Sequence, residues 1–227
     1  MNRQQGRQPI SYLNRFLDPA ESLAEILFGL IMVLTCTLGA SLIAGFDRDA
    51  LGRLLIAALG CNLAWGVIDA ALYVMGNAFA RSRNRRLMQA IRSAPDDSAA
   101  LAIVRDTFES RIAPYGRDED RERLYRTLHG MVVRTDALQG GITADDLRGA
   151  AAVFSLVLGS ALPPAIPFFL VGDPLVALRV SNAVLVALLF VVGFYWSRSI
   201  GGSGWRTGLV LMLSGVLLVG VAIAFGG

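Results

Sequence analysis

Asp69 lies inside the apolar run Leu54–Ala80, in the stretch Gly60-Cys-Asn-Leu-Ala-Trp-Gly-Val-Ile-Asp-Ala-Ala-Leu-Tyr-Val-Met-Gly-Asn77. The run is long enough to cross a bilayer. A carboxylate at that depth costs roughly 2.5–3.5 kcal/mol on insertion scales, and the usual reason to keep one is an ion or proton pathway. On a helix, Asn62, Asp69 and Tyr73 fall at i, i+7 and i+11 and share one face, with Trp65 on the same side. A second acid, Glu25, stands four residues after Glu21 at the edge of another apolar run. Continuing its face gives Met32 and Cys36, with Thr35 adjoining. Carboxylate oxygens suit hard or intermediate divalent cations, and sulfur suits softer ones. Both acids can also titrate as proton carriers.

Each of these residues has a plainer reading. Acids at a helix N-terminus are expected from the helix dipole alone. Met32 and Cys36 serve equally as packing residues, and Asn62 and Tyr73 as hydrogen-bonding links between helices. Asp69 is hardest to dismiss, although a structural tie, for example to Arg179 or a hydroxyl, would also hold it.

The elements that must position these groups follow from hydropathy. The chain is 54% hydrophobic with a mean hydropathy of +0.54, and its 17% charged residues are unevenly placed. Five apolar spans are predicted, near Ile26–Phe46, Leu54–Ala80, Gly149–Gly172, Val176–Ser197 and Thr207–Gly227. The fold class is therefore all-α, a polytopic membrane protein. Its parts are residues 1–80 (lead and spans one and two), 81–148 (a polar insert) and 149–227 (spans three to five). Asp18, Pro19 and Glu21 are a favourable start for the first helix. The polar opening Met1–Arg7 leads into no short apolar region with a cleavage site, so no signal peptide is expected.

Within the insert, Arg85–Arg92, Asp97–Ile112 and Asp118–Leu138 are amphipathic. They are separated by Ala94-Pro-Asp96 and Ala113-Pro-Tyr-Gly116. A small helical subdomain is expected. Its acids are interspersed with Arg, and its one histidine, His129, reads as an ordinary surface residue. Thr143 and Asp146 form a capping-box start for span three. Leu162-Pro-Pro-Ala-Ile-Pro167 must kink or unwind that span's second half.

Every basic residue is Arg, and their placement sets the topology. With the N-terminus in the cytoplasm, Arg3, Arg7, Arg15, the thirteen Arg of residues 81–148, Arg198 and Arg206 fall inside, against Arg48, Arg53 and Arg179 outside. The C-terminus is then outside. The expected location is a bacterial inner (plasma) membrane. The net charge of +3 follows this asymmetry and is no nucleic-acid signature. Cys36 and Cys61 both fall inside apolar spans and are no disulfide framework.

Counting ~1.5 Å per residue from Phe46 and Leu54 puts Asp69 ~22 Å below the outer surface. Met32 is then level with Asp69, Thr35 and Cys36 lie beside Ala64 and Trp65, and Glu25 sits ~9 Å closer to the cytoplasm.

This layout resembles the vacuolar iron transporter family. Glu25-Ile-Leu-Phe-Gly-Leu-Ile-Met-Val-Leu-Thr35 looks like its first span, and Ala64-Trp-Gly-Val-Ile-Asp-Ala-Ala-Leu-Tyr73 is similar to its second. Gly159-Ser-Ala-Leu-Pro-Pro-Ala-Ile-Pro167 resembles its proline-rich third span. The resemblance implies a homodimer in the lipid bilayer that moves a divalent metal, Fe2+ or Mn2+, out of the cytoplasm in exchange for protons, with no permanently bound cofactor. It places Glu25, Asp69 and nearby Met75 at the cation path. Two features depart from the pattern: Leu72 replaces the acid before Tyr73, and the insert is rich in Arg instead of Glu and Met.

A non-transporting scaffold or assembly protein, binding a cytoplasmic partner through its insert, is the rival expectation. An enzyme is not expected, because the sequence has no metal-ligand spacing, no nucleophile with a base and no phosphate-cradling loop.

Overall fold

The computed structural model describes residues 17–44, 48–135 and 141–225. The lead-in residues Arg3, Arg7 and Arg15, the absent signal peptide and the outer ends of spans one and five were sequence expectations that lie outside these residues. All described secondary structure is helical. The order is α1 (Pro19–Ala44), α2 (Arg48–Arg92), α3 (Asp97–Ile112), α4 (Asp118–Arg134), α5 (Ala144–Ser160), α6 (Leu162–Ala165), α7 (Pro167–Leu170), α8 (Pro174–Ser199) and α9 (Gly204–Ala224). Five segments among the described residues are long and apolar enough to cross a membrane: α1, α2, α5 through α7, α8 and α9.

The chain divides into two compact units, Met1–Val74 with Ala144–Gly227, and Met75–Thr143. The boundary runs through α2. The expected break after Ala80 also falls inside this helix, which continues through the basic run Arg81–Arg86 to Arg92. Nothing there interrupts its hydrogen-bond ladder, since Arg is a good helix former and no proline intervenes until Pro95.

In the first unit, Asp18 caps α1. Its Oδ1 accepts from the Ala20 amide at 2.7 Å, while its own amide donates to Glu21 Oε2 at 3.2 Å. This is a reciprocal arrangement with Pro19 at the first helical position. The core joins Leu30, Val33, Leu34 and Leu38 of α1 to Leu185, Leu189 and Val192 of α8 and Ala222 of α9. Span three breaks as its prolines require, into α5, α6 and α7. Ser181 of α8 donates its hydroxyl to the Pro164 carbonyl at 2.7 Å, so a neighbouring helix satisfies backbone at the break. Asp173 caps α8 through the Val176 amide at 2.9 Å. At the other end of α8 the Gly202 amide reaches the Ser197 carbonyl and the Gly201 amide the Arg198 carbonyl. Gly201 takes φ of 78°, the left-handed geometry that such a stop requires. Phe190, Phe194 and Trp205 cluster at this turn.

In the second unit, Ile91, Ala100, Val104 and Tyr125 form a small core. Asp97–Ile112 and Asp118–Arg134 are helical as the periodicity predicts. Tyr125 donates to Glu109 Oε2 at 2.7 Å, and that bond pushes its phenol pKa up. Glu122 pairs with Arg105 and Arg126. Arg92 donates to the Val132 carbonyl at 3.1 Å, tying the end of α2 to α4. His129 is half-buried on α4.

A core this small has little reserve. Val104 is fully buried. Val104→Ala should remove roughly 2 kcal/mol of burial and packing. The expected result is faster proteolytic cleavage within residues 97–134 of the intact protein, with the first unit unaffected. Equal cleavage rates in both proteins would show that Val104 contributes no such packing.

The cap of α3 gives a pH test. Asp96 accepts from Ser98 Oγ at 2.6 Å and from the Ala99 amide at 2.8 Å, and these bonds hold its carboxyl pKa below the usual range. Stabilisation by a lowered pKa is complete above the unfolded value, about 4, and is lost as pH falls through the folded value. Amide exchange in the first turn of α3, corrected for intrinsic rates, should therefore rise below about pH 4. In Asp96→Ala the fast exchange should already be present at neutral pH. Protection that is independent of both changes would remove the cap from the account.

Candidate functional site

Asp69 and Glu25 are brought together. Asp69 is half-buried on α2, and Glu25 is half-buried on α1 within electrostatic reach of it. Asp69 Oδ2 is buried and has no hydrogen-bond partner.

The register between α1 and α2 differs from the expected one. Asn62 Nδ2 donates to the Gly29 carbonyl at 3.4 Å, and Phe28 meets Trp65 edge to face at 5.3 Å between ring centroids. Cys36 and Cys61 are both free and half-buried. Met32 is therefore not level with Asp69, and Cys36 is not beside Trp65. The physical reason is the turn. Helix α2 begins at Arg48 and not Leu54, so the antiparallel pair folds around Ala44 and Arg48. That moves α2 by about seven residues relative to α1, roughly 10 Å along the axis. Glu25 rises to Asp69 as a result.

The remaining candidates separate. Asn62 is fully buried, and its Oδ1 has no partner. Met32 is half-buried. Thr35 turns back on its own helix, donating to the Ile31 and Met32 carbonyls at 3.0 Å each. Tyr73 is half-buried and lies against Gly149 of α5, where an added Cβ would come within 2.3 Å of its ring. Met75 is exposed and falls at the start of the second unit.

Small residues set how closely α5 approaches. A Cβ on Gly29 would lie 2.1 Å from Ser160 Oγ, and one on Gly66 would lie 3.0 Å from the Phe154 ring. The pair Gly66 and Ala70 pointed to close approach on this face of α2. Gly29, Gly149 and Ser160 were missed, since a glycine in an apolar run carries no signal of which helix it meets.

Among the described residues no group of three or more His, Cys, Asp or Glu side chains is close enough to hold a metal ion. Glu25 and Asp69 are two carboxylates on neighbouring spans within electrostatic reach of each other. Carboxylates in neighbouring spans are groups that a proton or a passing cation can visit. Comparison of the chain with protein-family models, curated proteins and solved structures returned no match.

Proposed function

We propose that this chain is a secondary transporter that carries a divalent metal cation, iron or manganese, out of the cytoplasm in exchange for protons. The observation that carries the reading is the Glu25–Asp69 pair, with a buried Asp69 oxygen that no protein donor satisfies. A carboxylate kept in an apolar span without a partner is costly unless a transported ion or proton visits it. The proline break in span three supports the same reading, because irregular backbone at membrane depth is tolerated where it is buried or lines a path.

In this proposal Glu25 and Asp69 exchange protons and cation, and Asn62 and Tyr73 shape the surroundings. The metal is cargo and not a resident cofactor. Two carboxylates are too few ligands for a divalent ion stripped of water, so waters or a second subunit complete its shell. In this proposal the chain works as a homodimer in a bacterial inner membrane, with the N-terminus in the cytoplasm as the arginine distribution favours. The exposed face of α2, with Leu63, Val67, Ile68 and Leu72, is apolar enough to meet lipid or the second copy.

The test is metal-driven proton flux in proteoliposomes, wild type against Asp69→Asn. Loss of flux in the variant supports the reading, and equal flux overturns the role of Asp69.

A second reading, a membrane scaffold, is favoured by one observation: residues 75–143 have a core of their own. It expects capture of a defined partner by the intact protein that is lost on disrupting α4, with no metal-dependent flux.

A further inference from the structure

Between Asp69 and Asp96 the chain has no acid and five arginines, Arg81, Arg83, Arg85, Arg86 and Arg92. Two of the five are occupied. Arg81 donates to the Gly141 carbonyl at 2.8 Å, and Arg92 donates to the Val132 carbonyl at 3.1 Å. Arg83, Arg85 and Arg86 are exposed and have no hydrogen bond or ion pair among the described residues. Elsewhere in the same unit arginines meet acids, as Arg105 and Arg126 meet Glu122 and Arg121 meets Asp118.

The turn of the helix sorts the three unpaired cations. Gly76, Phe79, Ala80, Arg83 and Arg86 share one face of α2, and Arg85 lies on the opposite one. The shared face is hollowed. Gly76, Phe79, Ala80, Ser82, Arg83 and Arg86 line a notch of about 650 Å³. A Cβ added at Gly76 would meet nothing within 4 Å, and Phe79 is 65% exposed. The notch is therefore apolar at one end and cationic at the other. Phe79 stands at the close of the apolar run, and Arg83 and Arg86 follow it by about 6 and 10 Å along the axis. The headgroup layer on each side of a bilayer is roughly 5–8 Å deep. Helical side chains lean toward the N-terminal end, which for Arg83 and Arg86 is the membrane side. With Phe79 at the edge of the hydrocarbon, both guanidiniums reach the headgroups.

We propose that this face of α2 binds one anionic phospholipid, with Arg83 and Arg86 on its phosphate and the Gly76–Phe79–Ala80 surface against its upper acyl chain. Guanidinium forks match phosphate oxygens bidentately. Two cations with no acid beside them favour a headgroup whose charge no amine cancels, so an anionic lipid outcompetes a zwitterionic one. A basic cluster after a span orients that span whichever face carries the charge. A site needs the charge and the apolar notch together, which Arg83 and Arg86 have and Arg85 lacks. The bound lipid fixes the depth at which α2 leaves the membrane. The proposal needs α2 to cross a bilayer and is independent of the cation pathway.

The test is native mass spectrometry of the full-length protein in detergent, titrated with phosphatidylglycerol or with phosphatidylcholine of the same chains. Wild type should retain one phosphatidylglycerol in preference to phosphatidylcholine. Arg83→Gln and Arg86→Gln should each weaken that retention about fivefold, and the double variant about 25-fold. Arg85→Gln removes the same charge from the opposite face and should bind as wild type does. Each variant should melt as wild type does in lipid-free detergent, since the three side chains are exposed and unpaired. Equal weakening by Arg85→Gln would overturn the proposal, because surface charge alone would then explain the binding. So would equal retention of the two lipids by wild type, or undiminished retention in the double variant. Displacement of the lipid by equimolar inorganic phosphate would also overturn it, since the notch would then serve a soluble anion.

Discussion

Asp69→Asn in proteoliposomes should reduce metal-driven proton flux to the background of empty vesicles, while yield and oligomeric state stay those of wild type. The substitution keeps the shape of the side chain and removes its charge and its titrating proton. Asp69 Oδ2 has no hydrogen-bond partner to lose. An amide there adds donors that themselves need partners, a cost of about 1–3 kcal/mol at most. A structural tie behaves in the opposite way. Removing the charge of a residue that pairs with another helix strands the partner and lowers abundance before it touches flux. Glu25→Gln discriminates further. If the two acids share a proton or cation, the two single variants should each lose most of the flux, and the double variant should lose little more. Such non-additivity is the signature of groups acting as one unit. Independent, additive losses would separate Glu25 from Asp69 and return Glu25 to its role as an acid at a helix start.

The parts of this protein that were legible from sequence are those that one segment decides alone. Leu162-Pro-Pro-Ala-Ile-Pro167 breaks its helix because proline lacks the N–H, wherever the segment sits. Asp18 caps its helix through a donor two residues away. The amphipathic stretches of the insert fold on their own periodicity. What was not legible depends on where two segments meet. The choice of Leu54 as the start of span two, against the observed Arg48, shifted every pairing between α1 and α2. Hydropathy marks where a helix becomes apolar and not where it begins, and charged residues at its outer end are as helical as the rest. That is why Glu25 was placed below Asp69. The identity of the moved ion belongs to the same class, since it depends on ligands gathered from several elements.

Gly29 should tolerate no larger side chain without loss of stability. A Cβ there would lie 2.1 Å from Ser160 Oγ, 2.9 Å from the Val157 carbonyl oxygen and 3.3 Å from Ser160 Cβ. A hydroxyl can rotate away, but a helical carbonyl cannot, so α1 and α5 must separate. Separation also stretches the bond from Asn62 to the Gly29 carbonyl, leaving a fully buried amide with no partner. Overpacking of this kind costs roughly 1–3 kcal/mol, occasionally more. Gly29→Val adds the lost hydrogen bond and should fall at the upper end, lowering the melting temperature in detergent by about 5 °C or more. Gly60→Val is the control, because a Cβ at Gly60 meets nothing within 4 Å. It should melt as wild type does. The cause can be isolated with Gly29→Ala and Ser160→Ala. Ser160→Ala removes the nearest obstructing atom, so the double variant should be less destabilised than the sum of the two single variants. The Val157 carbonyl remains in the way, so rescue should be partial. Additive losses would mean that α1 and α5 are not held at this distance by their small residues. The approach that brings Glu25 toward Asp69 would then need another cause.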